Sequence, residues 1–191
     1  MDSRAAFTIL VIAVALQRLW ELRRSARHEA RIRAAGGREH APAQMPWMRA
    51  LHASWLVAML VEVWVLSAAF DLTIAIGAGA LFVIGQALRL AAMHQLGWRW
   101  TVKVMTVPGE KAVASGIFRH VRHPNYLGVI LEIAALPLIH GAWLTSFVYT
   151  VANAALLRAR IAAEERALRE DSDYDALHEG RPRFVPGLHG R

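Results

Sequence analysis

Six polar side chains of the kinds that bind anions or move protons lie within eight positions of a mostly apolar chain. The stretch that holds them, residues 116–128, has the sequence GIFRHVRHPNYLG and leads into an apolar run. A proline ahead of such a run is typical of the first turn of a helix, whose free N–H groups bind anions. Two neighbouring arginines add positive charge, so the stretch predicts a site for a carboxylate or a phosphate. The six residues are Arg119, His120, Arg122, His123, Asn125 and Tyr126.

A second charged stretch, residues 156–168, follows the next apolar segment and has the sequence LLRARIAAEERAL. Residues four apart lie on one face of a helix, so Arg160 and Glu164 are expected to project together. A solvated helix with ordinary ion pairs is the alternative, and it suits Glu165 with Arg169. Arginine ahead of glutamate is the less favourable order for a helical pair, so a functional use of Arg160 and Glu164 stays open.

The elements that must position these stretches are apolar helices. Hydrophobic residues make up 55% of the 191 residues, and the mean hydropathy is +0.30, which is too apolar for an ordinary soluble domain. No G-x-G-x-x-G sequence is present, so no Rossmann domain is expected. The composition predicts an all-α integral membrane protein with about five transmembrane helices, in one domain over residues 1–191. The predicted spans are residues 5–22, 51–70, 72–93, 126–139 and 142–157, with a cytoplasmic segment at 158–191.

The net charge of +7 comes mainly from arginines between and after the apolar runs. The connections after spans one and three and the C-terminal segment are basic, whereas those at Asp71 and His140 are not. The positive-inside rule therefore predicts an inner-membrane protein with its N-terminus outside and its C-terminus in the cytoplasm. Both polar stretches then face the cytoplasm. This distribution argues against nucleic acid as a partner, and no obligate protein partner is inferred.

Other residue patterns limit the chemistry and the packing that the chain can have. The chain has no cysteine, which excludes disulfides and thiolate catalysis. His120 and His123 have no third ligand in register, so no metal site is predicted. Glu62 and Glu132 interrupt apolar spans, and Arg89 is a possible partner for either, with a structural and a functional use both open. Close packing between helices is expected at three glycines of the third span, Gly77, Gly79 and Gly85.

The two polar stretches resemble the isoprenylcysteine carboxyl methyltransferase family of membrane enzymes. The matching sequences are VASGIFRHVRHPNYLG and RIAAEERAL, and the likeness extends from about residue 86 to the C-terminus. The resemblance implies S-adenosyl-L-methionine as the cofactor, bound by a cytoplasmic loop and the C-terminal helix, and Arg160 facing the methyl acceptor. Phe118 stands where the family commonly has tyrosine, and Glu110 stands near a position often held by histidine. The implied cofactor contacts are Val113, Phe118, His123, Pro124, Asn125, Tyr126 and Glu164.

A narrower likeness concerns the first half of the chain, where QRLWELRRS, GGREH and LHASWL are similar to small bacterial members associated with type III polyketide synthases. It implies O-methylation of an alkylresorcinol or alkylpyrone hydroxyl, with a prenylcysteine-like carboxylate as the other lipophilic acceptor. A hydroxyl would benefit from a base, for which Glu165 and His120 are candidates. A phospholipid N-methyltransferase and a non-enzymatic membrane scaffold that binds anionic lipid are the alternative functions.

Overall fold

The computed structural model describes residues 2–178 and 180–184, and helices dominate it. Five long helices and a short sixth one lie in the described part, and the longest connection between them, residues 97–123 between the third and fourth helices, holds two 3₁₀ turns and a short strand. The longest, α1 and α5, continue well past the apolar segments predicted from the sequence. The six helices are α1 Ser3–Ala34, α2 Met45–Trp64, α3 Leu72–Leu96, α4 Pro124–Leu138, α5 Trp143–Asp171 and α6 Tyr174–His178.

Each predicted span overlaps one of the five long helices, but α2 ends at Trp64 and leaves residues 65–70 of the second predicted span outside it. Within the described residues, Ser3–Ala34 and Leu72–Arg99 are long and apolar enough to cross a membrane, and Pro124–Leu138 is a shorter apolar helix. The number of crossings stays a prediction. Part of the C-terminal segment, residues 185–191, lies outside the described residues.

A small sheet departs from the all-helical prediction. Strand β1, Arg38–His40, pairs antiparallel with β2, Val104–Thr106, so that Arg38 lies opposite Thr106. Asp171 at the end of α5 accepts a hydrogen bond from Arg38 Nη2 at 2.6 Å and another from the Thr106 hydroxyl. These bonds attach the sheet to α5, and they explain why two three-residue strands persist without a larger sheet.

Apolar side chains cover the outside of the bundle as well as its core. Trp55, Met59 and Leu136 are fully buried, while Leu16 is 61%, Ile76 66% and Phe147 70% exposed. A soluble surface rarely carries so many large apolar side chains, whereas lipid is a suitable environment for them.

Four charged side chains lie inside this apolar bundle and pair with one another. Arg89 donates to Glu132 at 2.9 Å and to Glu21 at 2.6 Å. Arg18 donates to Glu21 at 2.7 Å and also to Glu132. This buried quartet, Arg18, Glu21, Arg89 and Glu132, joins α1, α3 and α4 and balances two positive with two negative charges. The predicted pairing of Arg89 with Glu132 is therefore confirmed.

Glu62 has a different role from the one considered above. Its carboxylate accepts hydrogen bonds from the backbone N–H groups of Leu144 at 2.9 Å and Thr145 at 2.7 Å. Those groups begin α5 and have no partner within the helix, so Glu62 caps α5 from α2. The alternative in which Arg89 pairs with Glu62 is wrong.

Two glycines allow α3 and α4 to pack closely. A Cβ on Gly128 would lie 2.5 Å from Arg89 Cγ and 2.6 Å from the Gly85 carbonyl oxygen. A Cβ on Gly85 would lie 2.9 Å from the Gly128 carbonyl oxygen. Gly77 and Gly79 have nothing within 4 Å of such a Cβ, so the packing role predicted for them is wrong and holds for Gly85 alone.

Candidate functional site

A cavity of about 590 Å³ opens between the helices on the side of the small sheet. It extends from the N-terminus of α4 and the second half of α5 to the facing surfaces of α1 and α2. Residues far apart in sequence meet there. The predicted site residues that line the cavity are Val113, Phe118, His123, Pro124, Asn125, Tyr126, Arg160 and Glu164.

The N-terminus of α4 forms one wall. His123 is its N-cap residue but makes no side-chain capping bond, and Pro124 occupies the first turn. The His123 ring instead lies with Nε2 3.0 Å from Glu165 Oε1 of α5. The first-turn N–H groups of α4 therefore have no side-chain cap, which is the arrangement expected of an anion-binding helix end.

The Tyr126 hydroxyl connects Arg160 with Glu164. It donates to Glu164 Oε2 and accepts from Arg160 Nε at 3.1 Å. Arg160 is 5% exposed and also donates to the Val102 carbonyl oxygen. Arg160 and Glu164 share a helix face, as predicted, but Tyr126 stands between them. Glu164 Oε1 has no hydrogen-bond partner among the residues described, so it can accept one from a ligand.

Several buried polar atoms around this end of the cavity lack partners. Within residues 2–178 and 180–184 they include Arg122 Nε, Asn125 Oδ1, Tyr174 Oη and His178 Nδ1, and all four residues line the cavity. Leaving such an atom unpaired costs about 1 to 3 kcal/mol, which a polar ligand would recover. Burial raises the pKa of Tyr174 to about 12, so its hydroxyl stays neutral at physiological pH.

Glu165 lies behind this wall and does not line the cavity. It is 1% exposed and accepts from Arg183 Nε at 2.9 Å and Nη2 at 2.7 Å, in addition to its contact with His123. Burial by itself would raise the pKa of Glu165, but the bonds from His123 and Arg183 outweigh burial and hold the pKa well below its usual range. A carboxylate held in this way is a poor proton acceptor.

The other base considered from the sequence, His120, is exposed and also does not line the cavity. The structure therefore brings neither Glu165 nor His120 to the predicted site. We assign Glu165 a positioning role, because it joins the start of α4 to α5 and to residues 182–184.

The opposite half of the cavity is mainly apolar. Leu19, Leu22 and Leu56 line it, and the side chains of Leu19 and Leu22 are 52% and 38% exposed at the outer surface of the bundle. The polar residues that line this half include His52 and Arg49 of α2 and Arg18 of α1. An apolar chain can therefore enter between α1 and α2 while a polar head lies between His52 and Arg160.

Sequence reasoning missed three of these lining residues, His52, Tyr174 and His178. His52 falls within LHASWL, whose likeness to small bacterial family members implies no chemical role for the histidine. Tyr174 and His178 lie four apart on α6, a spacing that the sequence shows, but nothing in the sequence indicates that α6 folds back against the cavity.

A bundle of apolar helices with charged pairs buried inside it and a cavity between its helices is the arrangement expected of a helical membrane protein with a candidate ligand site between its helices. Residues 77–170 match the model of the isoprenylcysteine carboxyl methyltransferase (ICMT) family. The chain belongs to this family. Membership implies a methyltransferase and an integral membrane protein.

Two bacterial relatives align over most of the chain. The uncharacterised protein YpbQ of Bacillus subtilis (strain 168) is 31% identical over 166 residues, which cover 87% of this chain and 98% of YpbQ. An uncharacterised protein of Haemophilus influenzae is 30% identical over 152 residues, which cover 79% of this chain and 88% of the relative.

A solved structure has the same fold. The eukaryotic intramembrane Ras methyltransferase ICMT superposes with a TM-score of 0.56 at 21% sequence identity. The match covers 76% of this chain but 54% of the eukaryotic protein, so this chain spans about half of that enzyme's length.

Proposed function

We propose that this protein transfers a methyl group from S-adenosyl-L-methionine to an oxygen of a lipophilic acceptor at the membrane. The acceptor is an alkylresorcinol or alkylpyrone hydroxyl, or a prenylcysteine-like carboxylate. The observation that carries the proposal is one continuous cavity with two chemically different ends. Unpaired polar groups surround one end, and apolar side chains that reach the outer surface of the bundle form the other.

The residues at the polar end fit the cofactor. S-adenosyl-L-methionine carries its methyl group on a positively charged sulfur, beside a carboxylate, an amine and ribose hydroxyls. The uncapped start of α4 with Arg122 suits the carboxylate, and Glu164 Oε1 suits the amine or the ribose. Aromatic rings attract cations, which suits Phe118 and Tyr126 near a sulfonium. Together with Val113, His123, Pro124 and Asn125, these residues would hold the cofactor.

The chain's contribution to methyl transfer is position and charge. An in-line displacement gains most from holding the two reactants at the correct distance and angle. Arg160 lies between the polar and apolar ends, so its guanidinium would orient an acceptor oxygen that is anionic or becomes so. Tyr126 and the Val102 carbonyl hold this guanidinium in place.

The proposed orientation has the N-terminus outside and the cavity's polar end toward the cytoplasm. The polar end lies on the side of the basic connections and the C-terminal part of α5, where the positive-inside rule expects the cytoplasm. The cofactor would then enter from the cytoplasm and the acceptor from the bilayer.

Calorimetric titration of the detergent-solubilised protein with S-adenosyl-L-methionine tests the proposal. Saturable binding is expected, and Glu164→Gln should weaken it about 10-fold or more, since a hydrogen bond to a charged group contributes about 1.5 to 3 kcal/mol. Glu170→Gln is the matched control on the same helix, at an exposed position outside the cavity. No binding by folded wild-type protein, or equal affinity in the Glu164 variant, would contradict the proposed site.

A panel of acceptors then separates the alternatives. Methyl transfer to alkylresorcinols, alkylpyrones or prenylcysteines supports an O-methyltransferase. Transfer to phosphatidylethanolamine instead would support the phospholipid N-methyltransferase alternative. A folded protein that binds neither the cofactor nor any acceptor would fit the membrane scaffold.

A further inference from the structure

His52 of α2 lines the cavity but belongs neither to the proposed cofactor contacts nor to the group that orients the acceptor. It is half-buried and lies in the acceptor half of the cavity, on the helix that forms one side of the apolar opening. The neighbouring residues on that side, Leu19 and Leu56, can hold an alkyl chain, whereas an imidazole has no comparable use there.

One hydrogen bond determines the tautomer of the ring. His52 Nδ1 lies 2.8 Å from the carbonyl oxygen of Met48, one turn earlier on α2. A carbonyl oxygen only accepts, so Nδ1 must carry the proton and donate it. In the neutral ring Nε2 then holds a free lone pair. Nε2 has no hydrogen-bond partner anywhere in residues 2–178 and 180–184.

The other polar groups near His52 are already engaged. Arg18 and Glu132 belong to the buried quartet and bond to each other. Arg160 donates to Tyr126 and to the Val102 carbonyl, and an arginine does not accept a proton. The charged groups acting on His52 from the neighbouring helices are these three residues, and Arg49 on α2 also lines the cavity.

We propose that His52 is the general base that deprotonates a hydroxyl acceptor. This inference rests on the proposed function and specifically on its hydroxyl acceptors. The hydroxyl oxygen forms a bond to the methyl carbon while the bond from that carbon to sulfur breaks, leaving a neutral thioether. The hydroxyl proton passes to His52 Nε2, and the resulting imidazolium later releases it to solvent.

The size of the expected effect follows from the acidity of the acceptor. A phenolic hydroxyl has a pKa of about 10, so only about one molecule in a thousand is ionised at pH 7. A positioned base typically contributes 10²- to 10⁴-fold to such a step. A carboxylate acceptor is already ionised and would gain nothing, so His52 also predicts which acceptor class the enzyme uses.

The activity test compares His52→Gln with His120→Gln, whose histidine is exposed and outside the cavity. His52→Gln should keep cofactor affinity within about 2-fold and lose roughly 100-fold in methylation of a 5-alkylresorcinol at pH 7. The loss should shrink as pH rises toward 10, and also with a nitro-substituted alkylresorcinol, whose hydroxyl ionises without help. His120→Gln should match the wild type under all these conditions.

A second readout does not depend on turnover. With no cofactor added, the phenolate absorbance of the bound nitro-substituted alkylresorcinol reports its ionisation. Wild-type protein should bind the ionised form below the pH at which the free compound ionises, and His52→Gln should shift this ionisation upward by about one pH unit or more.

Three other outcomes would contradict the role of His52. If His52→Gln lost the same fraction of methylation activity with every acceptor and at every pH, His52 would be a structural residue. If the variant lost no activity, His52 would have no role in the reaction. A wild type that methylates only carboxylates would overturn the His52 proposal while leaving methyl transfer intact. Failure to bind the cofactor would overturn the proposed function, but the absorbance measurement would still decide whether His52 accepts the proton.

Discussion

His123 Nε2 lies 3.0 Å from Glu165 Oε1, and the two residues are 3% and 1% exposed. This contact joins the first residue before α4 to the C-terminal half of α5. Arg183 completes the arrangement by donating two hydrogen bonds to the same carboxylate. The position of the α4 N-terminus, and with it the polar wall of the cavity, therefore depends on a carboxylate that does not itself line the cavity.

Glu165→Gln should lower the stability of the protein at pH 7 by about 3 to 5 kcal/mol, the usual cost of removing one partner from a buried ionic contact. Cofactor affinity should fall as well, because the wall formed by α4 loses its anchor. Thermal unfolding in detergent measures the first effect and calorimetry the second, with Glu170→Gln as control. A variant as stable as the wild type would show that the contact contributes nothing.

The same carboxylate predicts a dependence on pH. The pKa of Glu165 is lower in the folded protein than in the unfolded chain, where it is about 4.3. The contribution of the Glu165 carboxylate to the stability of the fold is therefore fully present above about pH 4.3 and is lost as pH falls toward the pKa of the folded protein. The stability difference between wild type and Glu165→Gln should be constant from pH 8 to pH 6 and narrow below about pH 4. A difference that widens on acidification would contradict the assigned sign.

Gly128→Ala should destabilise the protein by about 1 to 3 kcal/mol, because its methyl group would overlap Arg89 and the Gly85 carbonyl and push α3 away from α4. The control is Gly79→Ala on α3, where a Cβ meets nothing within 4 Å. Since alanine forms helices better than glycine, that change should be neutral or stabilising by up to about 1 kcal/mol. Equal effects of the two substitutions on thermal unfolding would contradict close packing at Gly128.

The buried quartet predicts a non-additive result. Glu132→Leu alone leaves Arg18 and Arg89 with one carboxylate between them and should cost about 3 to 5 kcal/mol. Adding Arg89→Leu removes one positive charge, leaves Arg18 paired with Glu21, and should restore much of that loss. A double-mutant cycle on thermal stability measures the coupling. Additive losses would mean that Arg89 and Glu132 do not interact in the folded protein.

Glu62→Gln should destabilise the start of α5 by about 1 to 2 kcal/mol, since the amide offers one oxygen where the carboxylate accepts from two N–H groups. Glu62 is at the opposite end of the bundle from the residues proposed to bind the cofactor. Calorimetry should therefore give unchanged cofactor affinity alongside a lower unfolding temperature. Weaker binding with unchanged stability would place Glu62 in the ligand site instead.

The sequence by itself determined the helices and the two polar stretches that meet at the candidate site. A bilayer core of about 30 Å requires about 20 apolar residues per helix, so long apolar runs predict spans directly. Pro124 after a polar run predicts the start of α4, and the spacing of Arg160 and Glu164 predicts a shared face. Such features depend on residues that are close together in the chain, so local sequence patterns predict them.

Only the tertiary structure decided which faces meet. Glu164 and Glu165 are adjacent and chemically alike, but side chains one residue apart on a helix point about 100° apart. Glu164 therefore lines the cavity, whereas Glu165 contacts His123 at the start of α4. The pairing of β1 with β2, the contact of Gly85 with Gly128, and the approach of His52 to the cavity all join distant segments. Helical periodicity defines the faces of each helix, but the packing of whole helices against one another determines which of those faces form the site.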